Sequence, residues 1–137
     1  MKRKSRRVKA FTLLEVLLVL AILVILASTV TFYFANTQRK ANTRAATVQI
    51  YAISQLLEEY HIDVGSYPQG SDGLAALMEA PGSLGDSTRW DGPYSKKAIP
   101  RDPWDREYVY ESDGTSFKIT SYGADGQEGT EDDVTDI

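Results

Sequence analysis

Two groups of residues in this chain are placed to do chemistry. The first is a single carboxylate, Glu15, the only charge in a 25-residue apolar run from Phe11 to Ala35. A carboxylate in hydrocarbon costs several kcal/mol and normally demands a partner. A cut before Phe11 would create one, because a new amino terminus is cationic near neutral pH. Within one helix that amine and the Glu15 side chain lie about a turn apart. They can also pair between axially shifted neighbours, which would neutralise both charges and favour one stagger. For an ordinary anchor, the alternative is a Glu15 that snorkels to the membrane edge.

The second group is the carboxylate cluster at the other end. From Asp125 the last thirteen residues hold six acids and no base. An EF-hand is excluded, since the third and fifth positions counted from Asp125 are Gln127 and Gly129. By composition alone, such a run reads as a solvated surface. Catalysis has little to stand on. His61, the only histidine, falls near the end of a long helical pattern, where a solvated imidazole is expected. No nucleophile signature or Gly-rich phosphate loop accompanies it. Without cysteine there is no disulfide, thiolate or zinc–thiolate chemistry. The aromatics Trp90, Tyr94, Trp104, Tyr108 and Tyr110 are expected in the core and in subunit contacts.

These groups must be positioned by three elements. Lys2, Arg3, Lys4, Arg6, Arg7 and Lys9 form a basic head over residues 1–10, which marks the cytoplasmic side of an apolar segment. The rest of the chain carries a formal charge of -10, which would repel a phosphate backbone and argues against nucleic acid. Residues 11–35 are long enough, at roughly 35 Å, to cross a bilayer. A cleaved secretory signal has a shorter apolar region of about 7–15 residues. No Gly or Pro interrupts the chain from Phe11 to Val64, so one helix of about 80 Å is expected. Its second half is amphipathic: Ala46, Ile50, Ile53, Leu57, Tyr60 and Val64 recur every three or four residues. Beyond Gly65 come a short helix over 73–80, stopped by Pro81, and a hairpin of 107–111 with 116–121 around Asp113-Gly114. Residues 36–137, including the amphipathic half of the helix, make a small head domain.

The junction Ala10-Phe11-Thr12-Leu13-Leu14-Glu15 resembles the class III signal of type IV pilins and pseudopilins. That resemblance implies a leader at 1–10, cut between Ala10 and Phe11 by a prepilin peptidase that also methylates the Phe11 amine. It gives Glu15 a role in assembly. Ala10 stands where the family usually has Gly. Val24 and Phe32 occupy places where it tends to have Gly and Pro, so this helix lacks the weak points tied to partial unwinding in assembled filaments.

The second half resembles the major pseudopilin family of type II secretion. Gly65-Ser66-Tyr67-Pro68 is followed by Gly73-Leu74, Ala76-Leu77 and Pro81; then come Trp90, Gly92-Pro93-Tyr94 and Lys97. Pro100, Asp102-Pro103-Trp104, Tyr108 and Tyr110 form the next block, and Ser121-Tyr122-Gly123-Ala124-Asp125-Gly126 leads into the acidic tail. Asp105 stands where a Gly usually follows the Pro-Trp pair. The resemblance reverses the reading of the tail: in this family the loop wraps one calcium ion. That implies ligands from the Asp125, Asp132 and Asp133 side chains and from the Tyr122 and Thr130 carbonyls.

The fold expected is α+β and type IV pilin-like, a long N-terminal helix packed on a small antiparallel sheet with a calcium-stapled C-terminal loop. By resemblance the chain is a structural subunit and not an enzyme. It would sit in the bacterial inner membrane with a periplasmic head and polymerise into a helical pseudopilus that pushes folded proteins outward. Implied partners are further copies, minor pseudopilins, the prepilin peptidase, the inner-membrane platform and its ATPase, the outer-membrane secretin, secreted proteins and membrane lipid. A type IV major pilin of a surface fibre is the nearest rival; the missing cysteine pair and the acidic loop argue against it. A monomeric, anchored calcium-dependent binding module leaves Glu15 unexplained, and an anchored hydrolase lacks a site.

Overall fold

The computed structural model describes residues 11–136; the basic leader and Ala10 lie outside them. The first helix, α1, runs unbroken from Leu13 to Val64, as the absence of Gly and Pro requires. It includes Val24 and Phe32 without a break. Thr12 caps it: the Glu15 amide donates to Thr12 Oγ1 (3.3 Å) and the Val16 amide to the Thr12 carbonyl (3.3 Å). Thr12 and Glu15 thus stand as N-cap and N3, the spacing of a capping box. At the other end the Gly65 amide closes the last turn on the His61 carbonyl (2.8 Å), and Gly65 takes a left-handed φ of 90°.

The chain divides between Gln38 and Arg39 into two units. In the first, the apolar side chains from Phe11 to Leu26 that flank Glu15 lie open, from Val16 at 46% to Phe11 at 78% exposed. The stretch is long and apolar enough to cross a membrane, and none of it is buried within the chain.

The second unit has its own core. All six positions of the expected helical stripe are buried: Ala46, Ile50, Ile53, Leu57, Tyr60 and Val64. Ala76, Leu77, Tyr108, Ile119 and Val134 close over them. The short helix is a 3₁₀ segment, Gly73–Leu77, shorter than expected. Pro81, four residues beyond it, has no amide to extend the ladder. A second 3₁₀ turn spans Ser87–Arg89. Strands β1 (Val109–Ser112) and β2 (Phe117–Ser121) form the expected antiparallel hairpin, with Val109 opposite Thr120 and Ser112 opposite Phe117. β1 starts two residues late because Arg106 is held in a preceding turn, its carbonyl accepting from the Asp102 amide (2.8 Å). A third strand, β3 (Val134–Thr135), pairs with β2 and places the chain end on the sheet.

The aromatics serve packing. Tyr60, Tyr94 and Trp90 meet edge to face at 5.5 and 5.8 Å, and the Trp90 indole donates to the Ala76 carbonyl (2.9 Å). Burial pushes the Tyr108 and Tyr110 hydroxyls up to about 12. Each has an acceptor, Gln49 Oε1 and the Pro68 carbonyl respectively. His61 corrects one expectation: it is half-buried and stacked on Tyr67, with ring centroids 4.4 Å apart, instead of free in solvent.

Candidate functional site

The C-terminal loop joins β2 to β3. Ser121 ends β2 in a fully buried position, so the loop must leave the sheet within one residue. Gly123 makes that possible. Its φ is 59°, and a Cβ there would come 2.1 Å from the Asp132 carbonyl oxygen, so only glycine lets the two limbs of the loop approach. The turn that follows is closed by the Gly126 amide on the Tyr122 carbonyl (3.0 Å).

The three acids fasten this loop through main-chain amides. Asp132 Oδ2 accepts from the amides of Ala124 (2.9 Å) and Asp125 (3.1 Å). Asp125 Oδ1 accepts from the Gln127 amide (2.9 Å), and Asp133 Oδ2 from that of Gly129 (2.7 Å). The Asp125 amide, above all, holds the Asp132 carboxyl below the usual carboxylate range, with help from the Thr130 hydroxyl and the Ala124 amide. Thr130 Oγ1 stands between Asp125 Oδ1 (3.3 Å) and Asp132 Oδ1 (3.0 Å), so those two carboxylates face each other across one hydroxyl. Among the described residues no group of three His, Asp or Glu side chains converges closely enough to hold an ion unaided.

The oxygens left over are nevertheless those a hard cation uses. Asp133 Oδ1 is buried and has no hydrogen-bond partner among the described residues. A lone carboxylate oxygen removed from water is costly unless a cation or donor meets it. The carbonyls of Tyr122 and Thr130 each accept one amide, from Gly126 and Asp133, which leaves each a second lone pair. An all-oxygen set of carboxylates and carbonyls on a glycine-rich loop fits calcium far better than zinc.

Sequence reasoning missed what lies beneath this loop. Asp102 is 4% exposed. Its Oδ1 accepts from the amides of Trp104 (3.0 Å) and Arg106 (2.8 Å), and its Oδ2 from Ser121 Oγ (2.6 Å). One buried carboxylate thereby ties the Pro-Trp turn to the end of β2. Arg106 then reaches up to the loop, donating to the carbonyls of Gly123 and Ala124. Asp136 fastens the far end through its Oδ1 and amide, both to the Ile119 main chain (2.8 and 3.2 Å). Glu15, the other candidate, lies in the first turn of α1. There the positive end of the helix dipole favours a carboxylate. Phe11 precedes it and is exposed, whereas Ala10 lies outside the described residues.

Residues 33–137 match the family model of type II secretion system protein G, and residues 5–31 match the prokaryotic N-terminal methylation motif. The type II secretion system core protein G of Vibrio cholerae is 38% identical, covering 98% of this chain and 93% of the relative. The protein of the same name from Aeromonas hydrophila is 39% identical over 96% and 93% of the two chains. That of Escherichia coli K12 is 34% identical over 97% and 93%. Among solved structures, the major pseudopilin from the type 2 secretion system of enterohaemorrhagic Escherichia coli superposes with a TM-score of 0.61 at 30% identity, over 74% of this chain and 90% of that one. With its long helix, three-stranded antiparallel sheet and methylation motif, the chain belongs to the type II secretion system protein G family.

Proposed function

We propose that this chain is the major subunit of a type II secretion pseudopilus. It polymerises from the inner membrane into a helical filament that drives folded proteins across the outer membrane. The observation that carries this reading is the exposed apolar stretch of α1 from Leu13 to Leu26, with one carboxylate in its first turn. Lipid covers such a surface before assembly, and neighbouring copies cover it afterwards. The leader is cut between Ala10 and Phe11 and the Phe11 amine is methylated, a reading supported by the methylation motif over residues 5–31. The head lies in the periplasm. Minor pseudopilins, the platform and its ATPase, and the secretin are the partners such a filament needs. The role is mechanical, not enzymatic.

Calcium is the ion proposed for the C-terminal loop. Asp125, Asp132 and Asp133, with the carbonyls of Tyr122 and Thr130, would hold it. When bound, it supplies a divalent charge that offsets three carboxylates and joins the β2 end of the loop to β3.

The test of the filament reading is Glu15→Val in the full-length chain. The substitution removes a costly group from lipid, so insertion should be at least as good as in wild type. Intact mass should still show a mature chain beginning at methylated Phe11. Crosslinked multimers should fall severalfold, because the partner of the Phe11 amine is gone. Wild-type levels of multimer would refute the pairing, and a mature chain that still begins at Met1 would refute the processing.

A further inference from the structure

Arg106 stands where its side chain has no local reason to be ordered, yet it is anchored at both ends. Its main chain is fixed by Asp102, which accepts from its amide (2.8 Å) and donates its own amide to its carbonyl (2.8 Å). Its guanidinium donates from one nitrogen to the Gly123 carbonyl and from the other to the Ala124 carbonyl (3.2 Å). It also lies flat against Gly126, whose φ is 70° and where a Cβ would come 2.6 Å from Arg106 Cζ. The turn from Tyr122 to Gly126 is therefore folded around a cation that the chain itself provides. That cation binds none of the loop's acids: among the described residues the only ion pair within reach joins Arg101 to Asp105 (3.5 Å).

The geometry points to Arg106 as the positioning residue of the metal loop, holding the turn closed before any ion arrives and deciding which carbonyls the ion can use. This inference rests on the calcium reading above. A two-pronged guanidinium is suited to two adjacent carbonyls, and charge-assisted bonds of this kind are the stronger ones. It sets a positive charge against the Gly123 and Ala124 carbonyls, which disfavours a second cation there, while those of Tyr122 and Thr130 accept only neutral amides. The three carboxylates hold main-chain amides of the loop but also repel one another when no metal is bound, which works against a closed Gly-rich turn. A site that is ordered only part of the time binds correspondingly more weakly. The positive charge also repels calcium, but that repulsion is screened at a half-exposed site. Closing the five-residue turn is the larger effect.

The experiment uses the full-length chain in detergent micelles, as wild type, Arg106→Met and Arg106→Lys. Amide hydrogen exchange over residues 122–133 is followed first in chelator, and calcium alone is then titrated. In chelator, both variants should exchange at Gly126 at least tenfold faster than wild type, because a lysine ammonium cannot span two carbonyls in the same fork. The calcium midpoint should rise about tenfold in both, and saturating calcium should restore the protection. Unchanged exchange in chelator would overturn the proposal. So would an Arg106→Lys protein that behaves as wild type, or an Arg106→Met protein that binds calcium more tightly; either result makes the residue a mere local charge. A wild type indifferent to calcium defeats the ion reading alone, and the exchange in chelator still decides what Arg106 does.

Discussion

Leu20 and Leu57 lie on the same continuous helix, yet Leu20 is 52% exposed and Leu57 is completely buried. From Val16 to Leu26 around Leu20 the large side chains are apolar and exposed, whereas around Leu57 the pattern alternates and the apolar face meets a core. The head therefore carries its own stabilising contacts, and the first unit leaves its large apolar side chains exposed. One helix can serve both roles because helical hydrogen bonds are satisfied within the segment wherever it is placed. Side chains alone choose the surroundings.

The sharpest way to break this comparison is to make the same substitution in both regions. Leu57→Ala removes a fully buried side chain from the head and should cost about 2–5 kcal/mol. In a unit of this size that lowers the head's melting temperature by on the order of 10 °C or more. Leu20→Ala should leave it unchanged. Both tryptophans, Trp90 and Trp104, belong to the head, so tryptophan emission of the full-length chain in micelles reports that unit alone. A Leu20→Ala protein whose head melts as early as that of Leu57→Ala would show that the two units are not independent.

Calcium sharpens the contrast from the other side. It should stabilise the head and do nothing for the apolar segment. At about 100 times its dissociation constant a ligand adds roughly 2.7 kcal/mol, again a shift on the order of 10 °C. Asp125→Ala should abolish it. If magnesium or added salt moves the wild type as far as calcium does, the acidic loop is a solvated surface.

Acid should act on the head through the hairpin turn. Asp113 Oδ1 accepts from the Thr115 amide (2.9 Å) and the Ser116 amide (2.7 Å), and from both their hydroxyls. The Ser116 amide, first among these, lowers its pKa from 3.8 to about 2. A lowered folded-state pKa means that its contribution is fully present above pH 4 and is lost as the pH falls towards 2. In chelator, melting of the wild type should therefore decline across that window, and Asp113→Asn should flatten part of the decline. An identical slope in both proteins would show that the turn does not sense pH through this residue.

How far the sequence could be read follows from the range of the interactions involved. The buried stripe Ala46–Val64 was legible because helical period and burial are both local signals. The hairpin was legible from Asp113-Gly114, although β1 begins later than alternation suggested. β3 was not legible: a two-residue strand has no period, and it exists only because β2 offers an edge at Thr120 and Ser121. The Asp102–Ser121 bond joins residues nineteen apart and leaves no trace in local spacing. Arg106 was missed for the same reason. The Thr12 cap could have been found, since Thr-x-x-Glu before an apolar run is a recognised start signal. The same spacing places Glu15 at N3, where its amide meets the Thr12 hydroxyl.

The smallest expected effect concerns a single dihedral angle in the head. Asp105 has a φ of 65°, the only non-glycine residue in the left-handed region among those described. An L-residue there brings its Cβ against the following carbonyl, at a cost of roughly 1–2 kcal/mol that is smaller for Asp and Asn than for most. Asp105→Gly relieves that crowding. It forfeits the Arg101–Asp105 pair, but both side chains are largely exposed, at 58% and 87%, and such pairs contribute little. Glycine also loses more backbone freedom on folding, which trims the gain. The balance is a stabilisation of about 0.5–1 kcal/mol, or a few degrees in melting temperature. The Asp102 carbonyl would still accept from the residue 105 amide, now at 2.9 Å, so the turn beneath Arg106 should keep its shape. Added salt provides the control, since screening weakens an exposed ion pair and leaves steric strain untouched. If Asp105→Gly melts lower than wild type and high salt removes the difference, the ion pair outweighs the backbone strain in this turn.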